Sequence, residues 1–239
     1  MLRLILMRSY AVFLLLLFIK YASRVLYTAR IEWVGTPLPD PWRDVRVLAM
    51  LNHTSLFEPI YAAVAPNRLL WQIAAHGVVP VAQKTTDRRL VGWLFRFVAH
   101  QVVPITRERD HTWADVISRV HDPKALVVIL PEGRMKRRTG LDLDGQPMTI
   151  RGGIADILQA VPSGRMLLAY CGGLHHVHAP GDRFPRFFRK VHLCAEAVDI
   201  GVYRDSLIEI GGEEGFKGVV IEDLTRRRNE CCPAEVVPG

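Results

Sequence analysis

Several familiar catalytic signatures are missing from this 239-residue chain. There is no G-x-S-x-G, no phosphate loop and no G-x-G-x-x-G, which counts against serine hydrolases and nucleotide-binding enzymes. Cysteine is scarce. The four residues Cys171, Cys194, Cys231 and Cys232 include no C-x-x-C pair, and the vicinal pair bridges poorly. Reduced thiols on the cytoplasmic side are the expectation, not a disulfide framework. No internal repeat or low-complexity tract interrupts the sequence. Long uncharged runs are also wanting: the longest near the N-terminus, Ser9–Ile19, would span only about 16 Å as a helix, against a hydrocarbon core of ~30 Å.

What is present is a globular composition, 49% hydrophobic and 23% charged, with a net charge of +7 that suits an anionic partner. Nucleic acid and anionic lipid both match that charge. The apolar N-terminal run favours lipid, so nucleic acid is not expected as a partner. At about 100° per residue Arg3, Lys20 and Arg24 share one sector of a long helix while Arg8 lies outside it, the pattern of a helix lying in the membrane interface. A cleaved signal peptide would need a small-residue cleavage site, yet Tyr21, Arg24, Tyr27 and Arg30 follow the run. We therefore expect residues 1–30 to be a retained membrane anchor and residues 31–239 to form one domain. The prolines of Thr36–Trp42 separate the two.

Beyond Arg30, apolar runs alternate with helical patterns. Val45–Leu51, Val102–Ile105, Ala125–Leu130, Met166–Cys171 and Val191–Val198 read as strands, mostly continuous in hydrophobicity and so covered on both faces. Ile60–Ala65, Leu90–His100, Thr112–His121, Ile154–Ala160 and Val219–Arg228 read as helices, with Pro59 opening the first and Asp110 or Thr112 capping the third. The alternation indicates an α/β domain whose central sheet is mostly parallel and flanked by helices. Arg134–Pro147 reads as a long polar surface loop.

Three strand ends carry groups with chemistry to offer. After Val45–Leu51 comes Asn52-His53-Thr54-Ser55-Leu56-Phe57-Glu58-Pro59. Functional groups of α/β sheets gather beyond the carboxyl ends of strands, where His53 falls. A histidine with a nearby carboxylate is a general-base unit: the carboxylate fixes the tautomer and the free nitrogen takes the proton. His53 and Glu58 do not share a face of a regular helix, but can meet across a turn that Pro59 helps to break. After the apolar strand Ala125–Leu130 stands Pro131-Glu132-Gly133-Arg134, with a carboxylate at the strand mouth and a glycine fit for a tight turn. After Val102–Ile105 stands Arg107, placed to grip a phosphate.

In their order and placement these motifs resemble the glycerophospholipid acyltransferase family that includes 1-acylglycerol-3-phosphate acyltransferases. The family's N-H-x4-D matches Asn52, His53 and Glu58, in an HxxxxE variant. Its hydrophobic-x-Arg matches Ile105-Thr106-Arg107, its F-P-E-G-T-R matches Leu130 to Met135, and its Lys/Arg-x-Gly segment matches Arg151-Gly152-Gly153. Met135 stands where the family has arginine, so Arg134 or Lys136 would have to supply that charge, and Ala169 stands where a proline is usual. The resemblance implies direct acyl transfer with His53 as base and Glu58 as its orienting partner. It also implies that Asn52, Arg107, Glu132, Gly133, Arg134 and Arg151 serve the acceptor. No cofactor and no metal are implied: an acyl-CoA or acyl carrier protein thioester is a substrate. The expected setting is a membrane-associated enzyme on the cytoplasmic face, with the lipid bilayer and a lysophospholipid as partners. Leu174-His175-His176-Val177-His178 has no familiar zinc spacing and is expected to be surface or headgroup-facing. The cluster Arg183–Lys190, interleaved with phenylalanine and proline, suits anionic lipid.

Overall fold

A computed structural model describes residues 2–82, 102–106 and 111–235. The expected helix Leu90–His100, the cap at Asp110 and Arg107 lie outside the described residues.

Seven strands form one sheet in the order β1-β7-β6-β2-β5-β3-β4. They are β1 (Tyr27–Trp33), β2 (Val45–Leu51), β3 (Gly77–Ala82), β4 (Val102–Ile105), β5 (Leu126–Ile129), β6 (Arg165–Cys171) and β7 (Arg189–Asp199). β2 lies between β5 and β6 and is parallel to both, and β3 continues the parallel set to β4. β7 runs antiparallel to β6, and β1 runs parallel to β7. The carboxyl ends of β2 to β6 therefore share one end of the sheet with the amino ends of β1 and β7. That shared end positions everything below.

The helices are α1 (Leu2–Leu26), α2 (Asn67–His76), α3 (His111–Val120), α4 (Gly153–Ala160) and α5 (Ile200–Cys231), with a 3₁₀ helix over Glu58–Val64. α5 is two helices joined at Gly212, whose φ of 67° breaks the spiral. One face of the sheet packs against α3, α4 and α5 through Val116, Ile154, Leu158, Phe216 and Leu224. On the other face Leu69 and Leu70 of α2, with Phe13, Leu16 and Leu17 of α1, cover Val45, Leu126 and Leu167. Burial on both faces explains why β2, β5 and β6 read as unbroken apolar runs.

Three elements escaped the sequence reading. β1 alternates cleanly, with Tyr27 buried and Thr28, Arg30 and Glu32 outward, but it follows the apolar helix so closely that it reads as part of it. β3 carries Pro80, which ordinarily demotes a strand. α2 has its apolar residues at helical spacing at Leu69, Leu70, Ile73 and Ala74, a signal short enough to be passed over. The boundary expected at Arg30 falls inside β1: the apolar helix ends at Leu26, and residues 27–30 belong to the sheet.

α1 is oriented differently from the expected interfacial pattern. Lys20 Nζ donates to Asn67 Oδ1 at 2.6 Å and Arg24 Nε to Ala63 O at 2.8 Å, so these cations meet the domain and not lipid headgroups. The opposite face, Met7, Tyr10, Leu14, Phe18, Tyr21 and Val25, is an exposed apolar stripe. Leu6–Leu26 is long and apolar enough to cross a membrane by length and composition.

Candidate active site

β2 ends at Leu51, and the chain turns sharply at Asn52, which adopts φ +66°. Asparagine tolerates that region better than most residues. Its Nδ2 donates to Cys171 O at 2.8 Å, tying the turn to the end of β6. Glu132, at the end of β5, holds the same turn from the other side: Oε1 accepts from Asn52 N at 3.2 Å and Oε2 from His53 N at 2.7 Å. The His53 carbonyl accepts from Lys136 N at 2.7 Å. The ends of three parallel strands thus converge on the Asn52–His53 turn, which is why the arrangement sits at this end of the sheet.

The side chain of His53 is directed at Glu58, with Nδ1 2.9 Å from Oε2. The approach is close but off the axis of the ring N–H, so it is an ion pair in distance without linear hydrogen-bond geometry. Such contacts often tighten only when substrate is bound. Glu58 is fixed by its other oxygen, Oε1, which accepts from Thr54 N at 2.9 Å and Ser55 N at 3.0 Å. Those amides belong to the turn before Glu58, so the carboxylate closes the His53–Glu58 loop on itself, and it does not cap the 3₁₀ helix that follows. Thr54 Oγ1 accepts from Leu174 N at 2.8 Å, and Thr54 and Ser55 are fully buried. His53 Nε2 has no hydrogen-bond partner among the described residues. Burial alone would push the His53 pKa down; the close Glu58 carboxylate, with the charge of Glu132, outweighs it and holds the pKa above the ordinary histidine value. A ring held by a carboxylate at Nδ1, with Nε2 free and raised basicity, is equipped to take a proton from a hydroxyl.

The other expected site residues divide. Gly133 sits in a tight turn with φ +62°, its N–H donating to Leu130 O at 2.9 Å. Arg151, whose N–H donates to Pro131 O at 2.8 Å, lies alongside it and is exposed. Its side chain has no ion pair among the described residues. Glu132 is placed differently from the reading that has it meet the acceptor: it is buried and committed to the Asn52 and His53 amides. Arg134 is likewise committed, bound to Asp142 and, at 2.9 Å, to Asp144. Asp142 also accepts from the N–H groups of Asp144 and Gln146, so the loop Arg134–Pro147 is compact and Arg134 is neutralised within it. Lys136 pairs with Glu235 at 2.5 Å. Both Arg134 and Lys136 are therefore paired with acids, and neither is an uncommitted replacement for the motif arginine that Met135 displaces.

One contributor left no signal in the sequence. Arg228, near the end of α5, donates from Nη1 to Glu132 Oε1 at 3.2 Å and to Met148 O at 3.1 Å. It reaches across 96 positions of sequence, a distance no local motif can report. A cavity of about 480 Å³ opens here, between Asn52 and Glu132 on one side and Lys136, Met148, Arg228 and Cys232 on the others. Arg228→Ala removes the cation beside a buried carboxylate. The expected result is a loss of about 1–3 kcal/mol of stability and a fall in turnover, because Glu132 then holds the His53 turn less firmly. Thermal unfolding measured beside steady-state rates checks it; unchanged values for both would remove Arg228 from the site's framework.

The histidine run is committed to structure. His175 lies 3.1 Å from Glu235 through Nδ1 and 2.9 Å from Lys136 O through Nε2, His176 Nε2 lies 2.7 Å from Lys190 O, and the His178 ring packs on Phe57 at 4.6 Å between centroids. Among the described residues, the side chains close enough to share a cation are Glu32, His192 and Cys194 on β1 and β7, and they do not include His53 or Glu58.

A mostly parallel sheet thus carries a His–Glu pair and a glycine turn at the carboxyl ends of its parallel strands. The family model described as Acyltransferase matches residues 31–170, more than half of the chain, which therefore belongs to the acyltransferase family. The solved structure of the 1-acyl-sn-glycerophosphate (LPA) acyltransferase PlsC from Thermotoga maritima shares the fold over 93% of this chain and 80% of its own length. Its TM-score is 0.57 at 19% sequence identity, so the likeness is one of fold. No curated protein sequence gives a significant match.

Proposed function

We propose that this acyltransferase moves a fatty acyl group from a thioester to the hydroxyl of a lysophospholipid, with 1-acylglycerol-3-phosphate as the leading acceptor and phosphatidate as product. The observation that carries the reading is the 2.9 Å approach of His53 Nδ1 to a Glu58 that two backbone amides hold in place. His53 Nε2 takes the proton of the acceptor hydroxyl as its oxygen attacks the thioester carbonyl. Glu58 stabilises the imidazolium. Collapse of the tetrahedral intermediate expels the thiolate, which recovers the proton from His53. Arg107 and Arg151 supply the charges for an acceptor phosphate. The chemistry calls for no metal, no cofactor and no covalent enzyme intermediate, and the donor is acyl-CoA or an acyl carrier protein.

The exposed apolar stripe of α1 supports attachment to the bilayer, for which we propose the cytoplasmic face. The neutralised Arg134 favours a second reading within the same chemistry. With one fewer free cation for a phosphate monoester, a zwitterionic lysophospholipid or a lipoamino acid is the alternative acceptor.

The full chain, offered labelled acyl-CoA or acyl carrier protein with a panel of lyso-lipids, tests both readings. Label in phosphatidate supports the first and label in another diacyl lipid the second. Hydrolysis of the thioester without transfer to any acceptor sinks them together. The pH profile is a separate expectation. The base must be neutral, so kcat/KM rises with pH, and the raised His53 pKa places that limb above the ordinary value of 6.5. The same shift means the native state holds this proton more tightly than the unfolded chain does. Its contribution to stability is therefore full below the unfolded pKa and lost as pH rises through the folded one.

A further inference from the structure

The connection from β6 to β7 leaves the domain at the same end as His53 and, with the first two residues of β7, carries the sequence Arg183-Phe184-Pro185-Arg186-Phe187-Phe188-Arg189-Lys190. Phe184 and Phe188 are 70% and 78% exposed, values that burial in a core would not leave to aromatic side chains. Phe188 is held at φ +58°, a region that bulky residues avoid, so the backbone is bent unfavourably to point an aromatic ring outward. The bend is braced. Phe188 N donates to Leu26 O at 2.6 Å, Arg186 N to Val177 O at 2.8 Å, and the Phe187 ring lies 6.2 Å from that of Tyr27.

The bond to Leu26 sets the loop beside the last turn of α1, where Tyr21 and Val25 continue the exposed apolar stripe. Two exposed apolar segments are thus brought side by side in one region of the surface. Arg183, Arg186, Arg189 and Lys190 surround its aromatic part, with Asp182 the acid nearest in sequence, paired to Arg186 at 3.2 Å. Aromatic side chains flanked by exposed cations match an anionic bilayer surface, where rings enter the acyl boundary and guanidinium groups stay with phosphates.

The loop is also joined to the site. His178, at its beginning, packs on Phe57 inside the His53–Glu58 turn, and Leu174 binds Thr54. β1 and β7 pair for four residues beyond the end of β6, from Arg189 to His192, carrying the loop outward on the side of the sheet where His53 lies.

We propose that Phe184, Phe187 and Phe188 enter an anionic bilayer as a second attachment beside α1, holding the mouth of the His53 site against the lipid surface so that the acceptor enters sideways from the membrane. The entry route rests on the lysophospholipid reading above; the attachment does not. The full chain, mixed with phosphatidylcholine vesicles containing 30% phosphatidylglycerol (roughly a natural anionic fraction) and a diazirine-bearing phospholipid, is irradiated and its peptides mapped. Label is expected on α1 and on residues 184–188, and not around the equally exposed Ile210 of α5. Label on α1 without the loop, or loop residues cross-linked to a second copy in place of lipid, overturns the attachment, whatever the acyl-transfer assays give. Paired with this, Phe184→Ser with Phe188→Asn, the latter suited to a positive φ, should lower activity on vesicle-borne acceptor by at least about tenfold and spare activity on a short-chain, water-soluble one. Equal activity on both acceptors overturns the entry route. Loss on both with photolabelling of the loop absent in the unaltered chain overturns the attachment as well.

Discussion

His53→Ala leaves a folded protein whose turnover is lower by about 10²–10⁴-fold, the usual size of a general-base contribution. The fold should survive because the bonds that shape the turn belong to the backbone. His53 N donates to Glu132 and His53 O accepts from Lys136, and alanine keeps both. Glu58 loses a partner at Oε2 but retains two amides at Oε1, so its charge is not stranded. What disappears is the free Nε2. Single-turnover transfer of labelled acyl group, with thermal unfolding run in parallel, measures the two effects separately. Near-normal transfer by a variant with normal unfolding would place the base elsewhere.

Glu58→Gln is expected to come close to that loss, and by a cause the structure makes specific. The amide oxygen can still accept from Thr54 and Ser55, which leaves the amide NH₂ directed at His53 Nδ1. Two donors cannot face each other, so the ring flips to the tautomer with its proton on Nε2, and the base is occupied. The same exchange of carboxylate for amide in the serine protease triad costs about 10⁴ in kcat for this reason. Glu58→Asp keeps the charge but is one methylene short of serving both the amides and the ring, so it should retain an intermediate activity. The pH profile separates orientation from plain scaffolding. Glu58 raises the His53 pKa, so in Glu58→Gln burial regains the upper hand and any remaining acid limb moves to lower pH. A Gln variant as active as the unaltered chain, or one whose activity declines only in step with unfolding, would leave Glu58 a structural residue.

The third motif is where the structure departs most from the roles its sequence suggests. From its place at a strand mouth Glu132 is expected to serve the acceptor; in the structure it is buried and accepts from the Asn52 and His53 amides, bracing the turn. Arg134 looks free in the sequence because its acidic partners, Asp142 and Asp144, come eight and ten residues later on a loop whose fold is not periodic. Arg107 remains an expectation from the sequence.

Some of this protein is determined locally, and those parts were legible. Continuous apolar runs specify doubly covered strands, and the parallel sheet follows from their alternation with helices. A histidine and a carboxylate directly after such a strand must lie at the sheet's functional end, because parallel strands bring all their carboxyl ends together. The tertiary structure alone decided where the long-range partners fall. Arg228 meets Glu132 because α5 returns across the sheet, and the stripe on α1 faces outward because Lys20 and Arg24 find acceptors on the domain. The aromatic loop joins that stripe because β1 and β7 run against the rest of the sheet. Hydrophobic periodicity specifies which face of an element is apolar. What that face meets depends on packing and hydrogen bonds between residues far apart in sequence, and these form only when the whole chain closes around its core.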